Sequence, residues 1–193
     1  SLGIASYALV SGDAALVYDT HVSVDHARRI RDVLERDGAR EFTVVLSHWH
    51  LDHVAGTAAF ADCEVIACAR TAELLAANRE AIESGTLEGP PGIDPLVLPT
   101  TTFTDRRTLE IGDVRLELVE TEIHSDDATL VWWPERGLLL CGDAMEDTVT
   151  YVDDAARLPV HRANLESLRR LAPSRILPNH GDPDVIAAGG YPQ

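Results

Sequence analysis

Residues His48-Trp49-His50-Leu51-Asp52-His53 put four strong metal-ligating side chains into six positions, in the order His-x-His-x-Asp-His. Imidazole nitrogens and a carboxylate oxygen suit a borderline ion such as Zn²⁺. Four ligands this close cannot all serve one tetrahedral ion without strain, so the spacing suits two ions sharing one loop. On a helix, residues two apart point to nearly opposite sides, which would keep His48 and His50 from one ion. The motif is therefore expected on a loop leaving the carboxyl end of a strand, Phe42 to Leu46. Ligand sites in α/β folds form at such ends. Small Ala55, Gly56 and Thr57 then allow a helix to start tightly against the site.

Isolated ligand-type residues stand at matching places further on. His124 follows an apolar run from Val114 to Glu120, Asp143 follows Leu138 to Cys141 across Gly142, and His180 follows Arg175 to Pro178. Any one alone reads as a solvated loop residue or a cap. Four strand ends delivering seven ligands of the right type read as one site.

The elements that must position them alternate between strand-length apolar runs and helical periodicity. Ile4 to Val10 and Ala14 to Tyr18 flank Ser11-Gly12-Asp13 and read as a hairpin. Ser23 is placed to cap a helix from Val24 to about Arg36, with Ala27, Ile30 and Leu34 on one face. Glu64 to Ala67 reads as a strand, and Thr71 to Ser84 as a helix. Gly85 to Pro99, rich in glycine and proline, reads as a loop: a lid or substrate-facing insertion, or a plain surface connection. Strands are expected at Thr108 to Ile111, Val114 to Glu120, Thr129 to Trp133 and Leu138 to Cys141, with a turn over Pro134-Glu135-Arg136-Gly137. His161 to Ala172 reads as a helix and Arg175 to Pro178 as a short strand. Two successive β-then-α halves imply an α/β (α+β) sandwich with sheets inside and helices outside.

The 193 residues favour a single domain over 1–193, and 45% hydrophobic residues can fill a sizeable core. The net charge of −16 argues against a nucleic-acid partner, whose phosphates would be repelled. Every base is arginine, which reads as compositional bias. No apolar run approaches the roughly 18 residues of a membrane span. No signal peptide is visible, although a chain starting at Ser1 leaves room for a short leader. Cys63, Cys68 and Cys141 are odd in number; Cys63 and Cys68, five apart along a strand, point to opposite faces, so no pairing and a reducing, cytoplasmic setting are expected. Oligomeric state is not readable.

The assembled motifs resemble the metallo-β-lactamase superfamily: His48-x-His50-x-Asp52-His53, the single His124, Cys141-Gly142-Asp143 and Asn179-His180-Gly181, with Val17-Tyr18-Asp19-Thr20 similar to the family's early strand. The resemblance runs from about Ala5 to Gly181 and implies a four-layer αββα sandwich with a dinuclear site at one edge of the sheets. It implies that His48, His50 and His124 hold one ion, that Asp52, His53 and His180 hold a second, and that Asp143 bridges them. The ions would be two zinc, with iron or manganese as alternatives. A hydroxide shared by the pair would be the nucleophile, and Asp52 would orient it and shuttle its proton to the leaving group.

Some positions depart from the family pattern. Ile123-His124-Ser125-Asp126-Asp127 replaces Gly-His-Thr-x-Gly, which makes Asp126 a candidate metal or substrate contact. His21 stands where a glycine is usual; it reads as a surface or packed residue, with a hydrogen bond to a ligand carboxylate as the alternative. His26 and His161 sit on expected helices, and Cys141 ends an apolar run as a buried strand residue. The Gly-Asp form resembles the glyoxalase II, lactonase and general hydrolase branches. The helical region of glyoxalase II and the inserted domain of nucleases are not seen in the sequence. A hydrolase of a small ester, thioester, lactone or lactam is therefore expected, with Tyr151 and Trp49 as candidate substrate contacts. The alternatives are a mononuclear iron enzyme resembling persulfide dioxygenases and a non-catalytic metal-binding module.

Overall fold

The computed structural model describes residues 3–88, 91–147, 149–152 and 154–192. Ser1, Gly89, Pro90 and Thr148 therefore fall outside the described residues, and with them parts of the 85–99 and 145–156 loops.

Two five-stranded sheets face each other. The first is built from β2 (Tyr7–Ser11), β3 (Ala14–Tyr18), β4 (Glu41–Val45), β5 (Glu64–Cys68) and β6 (Thr101–Phe103), in that spatial order. Only the β2–β3 hairpin is antiparallel; the other pairs are parallel and joined by helices. The second runs β11 (Arg175–Pro178), β10 (Leu138–Gly142), β9 (Ala128–Trp133), β8 (Val114–Thr121), β7 (Arg106–Ile111), antiparallel except between β10 and β11.

Strand alternation divides the apolar residues into separate layers. On β3, Leu16 and Tyr18 pack between the sheets against Leu116, Leu118 and Val131. Ala15 and Val17 point the other way, onto Ala27 and Leu34 of α1 (Val24–Arg36) and Leu75 and Ile82 of α3 (Ala69–Glu83). On the far side, Leu130, Trp132, Leu139 and Cys141 pack against Leu168 of α4 (Leu158–Arg169). Helix, sheet, sheet, helix is the expected αββα order. Ser23 caps α1 as expected, its Oγ accepting from the N–H of His26.

Several boundaries differ from the expectation. The Ile4 to Val10 run is split: β1 (Gly3–Ile4) leaves the hairpin and pairs with a short strand, β12 (His180–Gly181). That strand was not expected, because two residues carry no periodicity. The motif is only partly a loop, since α2 (Leu51–Val54) starts inside it. Helix α3 begins at Ala69, with the buried Cys68 thiol accepting from the Thr71 N–H as its cap. Helix α4 starts at Leu158 instead of His161, because Pro159 in a first turn loses no hydrogen bond. It stops at Arg169, and Ala172 turns left-handed at φ 51°. Strand β6 and a last helix, α5 (Pro183–Ala187) capped by Asp182, were too short for periodicity to reveal.

Candidate metal centre

The seven ligand-type residues converge at one edge of the two sheets. His48, His50, Asp52 and His53 come from the β4–α2 connection of the first sheet. His124 follows β8, Asp143 follows β10, and His180 stands in β12 just past β11. Two trios have ligand atoms within 4.8 Å of one another: His48, His50 and His124, and Asp52, His53 and His180. Asp143 lies between them. Its Oδ2 is 3.8 Å from His48 Nε2, 3.2 Å from His53 Nε2, 3.7 Å from His124 Nε2 and 3.4 Å from His180 Nε2. A tetrahedral ion with bonds of about 2.1 Å keeps its ligands about 3.4 Å apart, so these spacings match a cation between them.

Buried hydrogen bonds fix which nitrogen of each ring faces inward. Asp19 is fully buried and takes four donors: Oδ1 accepts from the Ser47 N–H at 2.6 Å, and Oδ2 accepts from Ser47 Oγ and Asn179 Nδ2 at 2.6 Å and from His53 Nδ1 at 2.9 Å. Ser47 Oγ, having given its proton to Asp19, accepts from His48 Nδ1 at 2.9 Å. The main-chain carbonyl of Tyr151 can only accept, so His124 Nδ1, at 3.2 Å, carries a proton as well. All three rings therefore turn Nε2, the nitrogen left over for a cation, toward Asp143. His48 Nε2 and His53 Nε2 are buried and have no hydrogen-bond partner, and neither has Asp143 Oδ1. Buried polar atoms left this way, on three residues of ligand type around one point, are what a bound cation would satisfy.

The charges within the cluster are strongly coupled. Burial, together with four neighbouring histidines, holds His48 far below the ordinary histidine range. Burial acts downward on His53 too, but the carboxylates of Asp19 and Asp143 outweigh it and raise this ring. The hydrogen bond to Asp52 raises His180. Burial pushes the Asp52 carboxyl up, and its histidine partners reverse that, bringing it to about 2. The ionised carboxylate is 41% exposed, so one side of it faces solvent.

The chain is strained where the site needs it. Asp19, His21 and His124 all have left-handed φ, at 64°, 67° and 69°. Gly142, at φ 55°, turns the chain from β10 into Asp143, and a Cβ there would sit 2.9 Å from Ser47 Cβ. Non-glycine residues held in this region gather at functional sites.

The remaining candidates divide. Asp126 is paired with Arg70 at 3.1 Å and is not part of the ligand-type groups found among the described residues. His21 stacks on His26 at 4.6 Å between ring centres, and its Nδ1 accepts from the adjacent Val22 N–H. His161 is buried on α4. Cys141 is buried and lies against the carbonyls of Met145 and Leu177. All three cysteines are free. The Trp49 ring packs partly on the outer core, 5.8 Å from His50. The Tyr151 ring is 63% exposed and 6.4 Å from His124.

Two further residues were not singled out from sequence. Glu146 places Oε1 3.5 Å from His124 Nδ1 and forms a ligand-type trio with His124 and Asp143. Asp127 is fully buried, and its Oδ2 accepts from the Trp49 N–H at 2.9 Å and from Thr71 Oγ1 at 2.9 Å. It ties the motif loop to α3. An acid three residues past each of His124 and Asp143 was the available signal, and neither follows any periodicity.

With this geometry in view, the chain belongs to the metallo-beta-lactamase superfamily, whose family model matches residues 2–180. It is similar to the Beta-lactamase-like protein 2 homolog of Drosophila melanogaster, with 27% identity over 93% of this chain and 59% of that protein. The homolog of Caenorhabditis elegans is 24% identical over 93% of this chain and 56% of its own length. The chain thus spans less than three fifths of the length of these relatives. Among solved structures, a metallo-beta-lactamase from Pontibacter korlensis superposes with a TM-score of 0.72 at 21% identity, covering 92% of this chain and 79% of that one. A metallo-beta-lactamase family protein from Thermus thermophilus gives 0.65 at 20%, covering 92% and 68%. At these identities the structures establish the shared fold. Among the described residues no helix is long and apolar enough to cross a membrane.

Proposed function

We propose that the protein is a dinuclear metal-dependent hydrolase of a small ester, thioester, lactone or lactam, acting as one domain in a reducing compartment. The observation that carries this reading is the position of Asp143 Oδ2, within 3.2–3.8 Å of four histidine Nε2 atoms drawn from two separate trios. His48, His50 and His124 would hold one ion, Asp52, His53 and His180 the other, and Asp143 both. Zinc fits this nitrogen and carboxylate set. When bound, such a pair supplies Lewis acidity and brings the pKa of water toward neutrality.

The chain's own residues do the rest. Asp19, Ser47 and the Tyr151 carbonyl keep three imidazoles in the tautomer that faces the centre. Asp52 is half exposed and ionised, so it can accept a proton from the attacking water and deliver it to the leaving atom. Trp49, 5.8 Å from His50, and Tyr151, 6.4 Å from His124, are assigned to substrate contact.

Metal analysis combined with a panel of esters, thioesters, lactones and lactams tests the reading. About two zinc per chain with turnover is expected. One iron per chain, with oxygen uptake on a persulfide, would establish the oxidoreductase alternative. Full metal loading with no turnover across the panel would establish a binding module.

A further inference from the structure

A groove begins at the exposed side of Asp52. It lies between the start of α1 at Val22 to Val24, the α2 turn at Leu51 and Asp52, and the segment from Pro91 to Asp94, and its volume is about 340 Å³. That volume is at the lower end of small-molecule pockets, about 300–1,000 Å³.

Its outer wall is anchored to the end of α3. The Ile93 N–H donates to the Ile82 carbonyl at 3.1 Å. Leu96 is buried; its N–H donates to Glu83 Oε1 at 3.2 Å, and its carbonyl accepts from Arg79 Nη2 at 3.0 Å. Gly92 packs so closely that a Cβ would lie 2.0 Å from the Glu83 carbonyl oxygen. The groove is therefore preformed.

Val22, Leu51, Ala55 and Ile93 give it an apolar surface. Among the described residues, the charged side chains lining it are Asp52, Glu88 and Asp94, with no arginine. A helix N-terminus attracts anions. The start of α1 also opens here, but its own Ser23 cap and Asp25 in its first turn offset that pull.

We propose that this groove receives the leaving arm of the substrate, and that the arm is apolar and carries no negative charge. The proposal rests on the reading of Asp52 as the group that delivers a proton to the leaving atom. In that hydrolysis the bond from carbonyl carbon to the arm breaks. The oxygen of water bonds to that carbon, and one of its protons ends on the leaving atom. Away from the ions that Asp52 would help to hold, an anionic arm would lose water beside Glu88 and Asp94, with no cationic side chain among the described lining residues to offset them.

The test uses the zinc-loaded protein and three thioesters. All share a butanoyl group, and their six-carbon thiol arms end in methyl, trimethylammonium or sulfonate. The sulfonate arm is expected to lower kcat/KM about tenfold against the methyl arm, the size of effect two carboxylates exert through water. The double variant E88Q/D94N should bring that gap to about threefold or less, and raising the salt from about 0.05 to 0.5 M should narrow it in the wild type. Replacing both residues by arginine should favour the sulfonate arm. Equal rates for the three arms, or a gap untouched by E88Q/D94N, would overturn the proposal. Calorimetric binding of hexyltrimethylammonium and hexanesulfonate reads the groove without turnover. A preference for the ammonium that E88Q/D94N abolishes, with no ester, thioester, lactone or lactam cleaved, would uphold the groove as a binding site for an apolar, non-anionic chain and sink both the hydrolase reading and the leaving-arm role. Turnover of the thioesters with no such preference would sink the groove alone.

Discussion

The two sheets contribute to the candidate metal centre in different ways. The first supplies four ligand-type residues from one short connection, His48 to His53. The second supplies His124, Asp143 and His180, one from each of three separate strand ends. Support differs in the same sense. The His48 to His53 stretch is locked from behind by Asp19, with four donors on one fully buried carboxylate, and its Trp49 N–H is held by Asp127. His124 leans on one main-chain carbonyl and, at 3.5 Å, on the half-buried Glu146. The first sheet thus behaves as a rigid half-site, and the second closes it.

Substitutions can break or sharpen that contrast, and the largest effect is expected where the halves meet. Asp143→Ala should lower metal content from about two ions per chain to at most one, and turnover below detection. Unchanged metal content by elemental analysis would refute the bridging role. Asp52→Ala should leave the circular-dichroism spectrum intact while cutting turnover about 10²- to 10⁴-fold, the usual contribution of a positioned proton carrier. A loss under about tenfold would remove Asp52 from that role.

The supports should rank next. Asp19→Asn keeps the left-handed backbone, which asparagine tolerates, but loses the charge that four donors share. Zinc affinity is expected to fall about 10- to 100-fold. Glu146→Gln on the closing side should change it by less than about threefold, because the Tyr151 carbonyl still holds His124. Competition with a chelator gives both numbers, and equal losses would erase the contrast.

A separate effect, on stability and not on metal affinity, concerns Asp127. Burial pushes its carboxyl up to about 6. Between about 4, its ordinary value, and 6, the folded chain holds a proton that the unfolded chain has released. Stability therefore falls as pH rises through that window. Asp127→Asn keeps an oxygen for Trp49 and Thr71 and removes the titration. Its unfolding free energy should be flatter than the wild type's from pH 4 to 6, with a relative gain of roughly 3 kcal/mol at pH 7. Parallel slopes in urea titrations would show that Asp127 stays ionised in the fold.

The same asymmetry explains what could be read from the chain. Four ligand-type residues within one motif are visible in a line of text. His124, Asp143 and His180 were legible only as ligand-type residues just past separate strand ends, since no spacing links them, and the resemblance then gave each its place in the ligand set. The layers were legible because Leu16 and Tyr18 alternate with Ala15 and Val17 over a full strand. Strand β12 was not, because two residues make no pattern and their partners Gly3 and Ile4 lie at the other end of the sequence. Asp127 and Glu146 stayed hidden because their partners are main-chain groups or residues that only folding brings near.

The pairing of Gly3–Ile4 with Gly181–His180 has a consequence during translation. His48 to His53 leaves the ribosome early, well before the strand that carries His180. A nascent chain therefore carries only part of the ligand-type cluster until His180 has emerged, and that histidine docks only when Gly3–Ile4 is still free to pair with it.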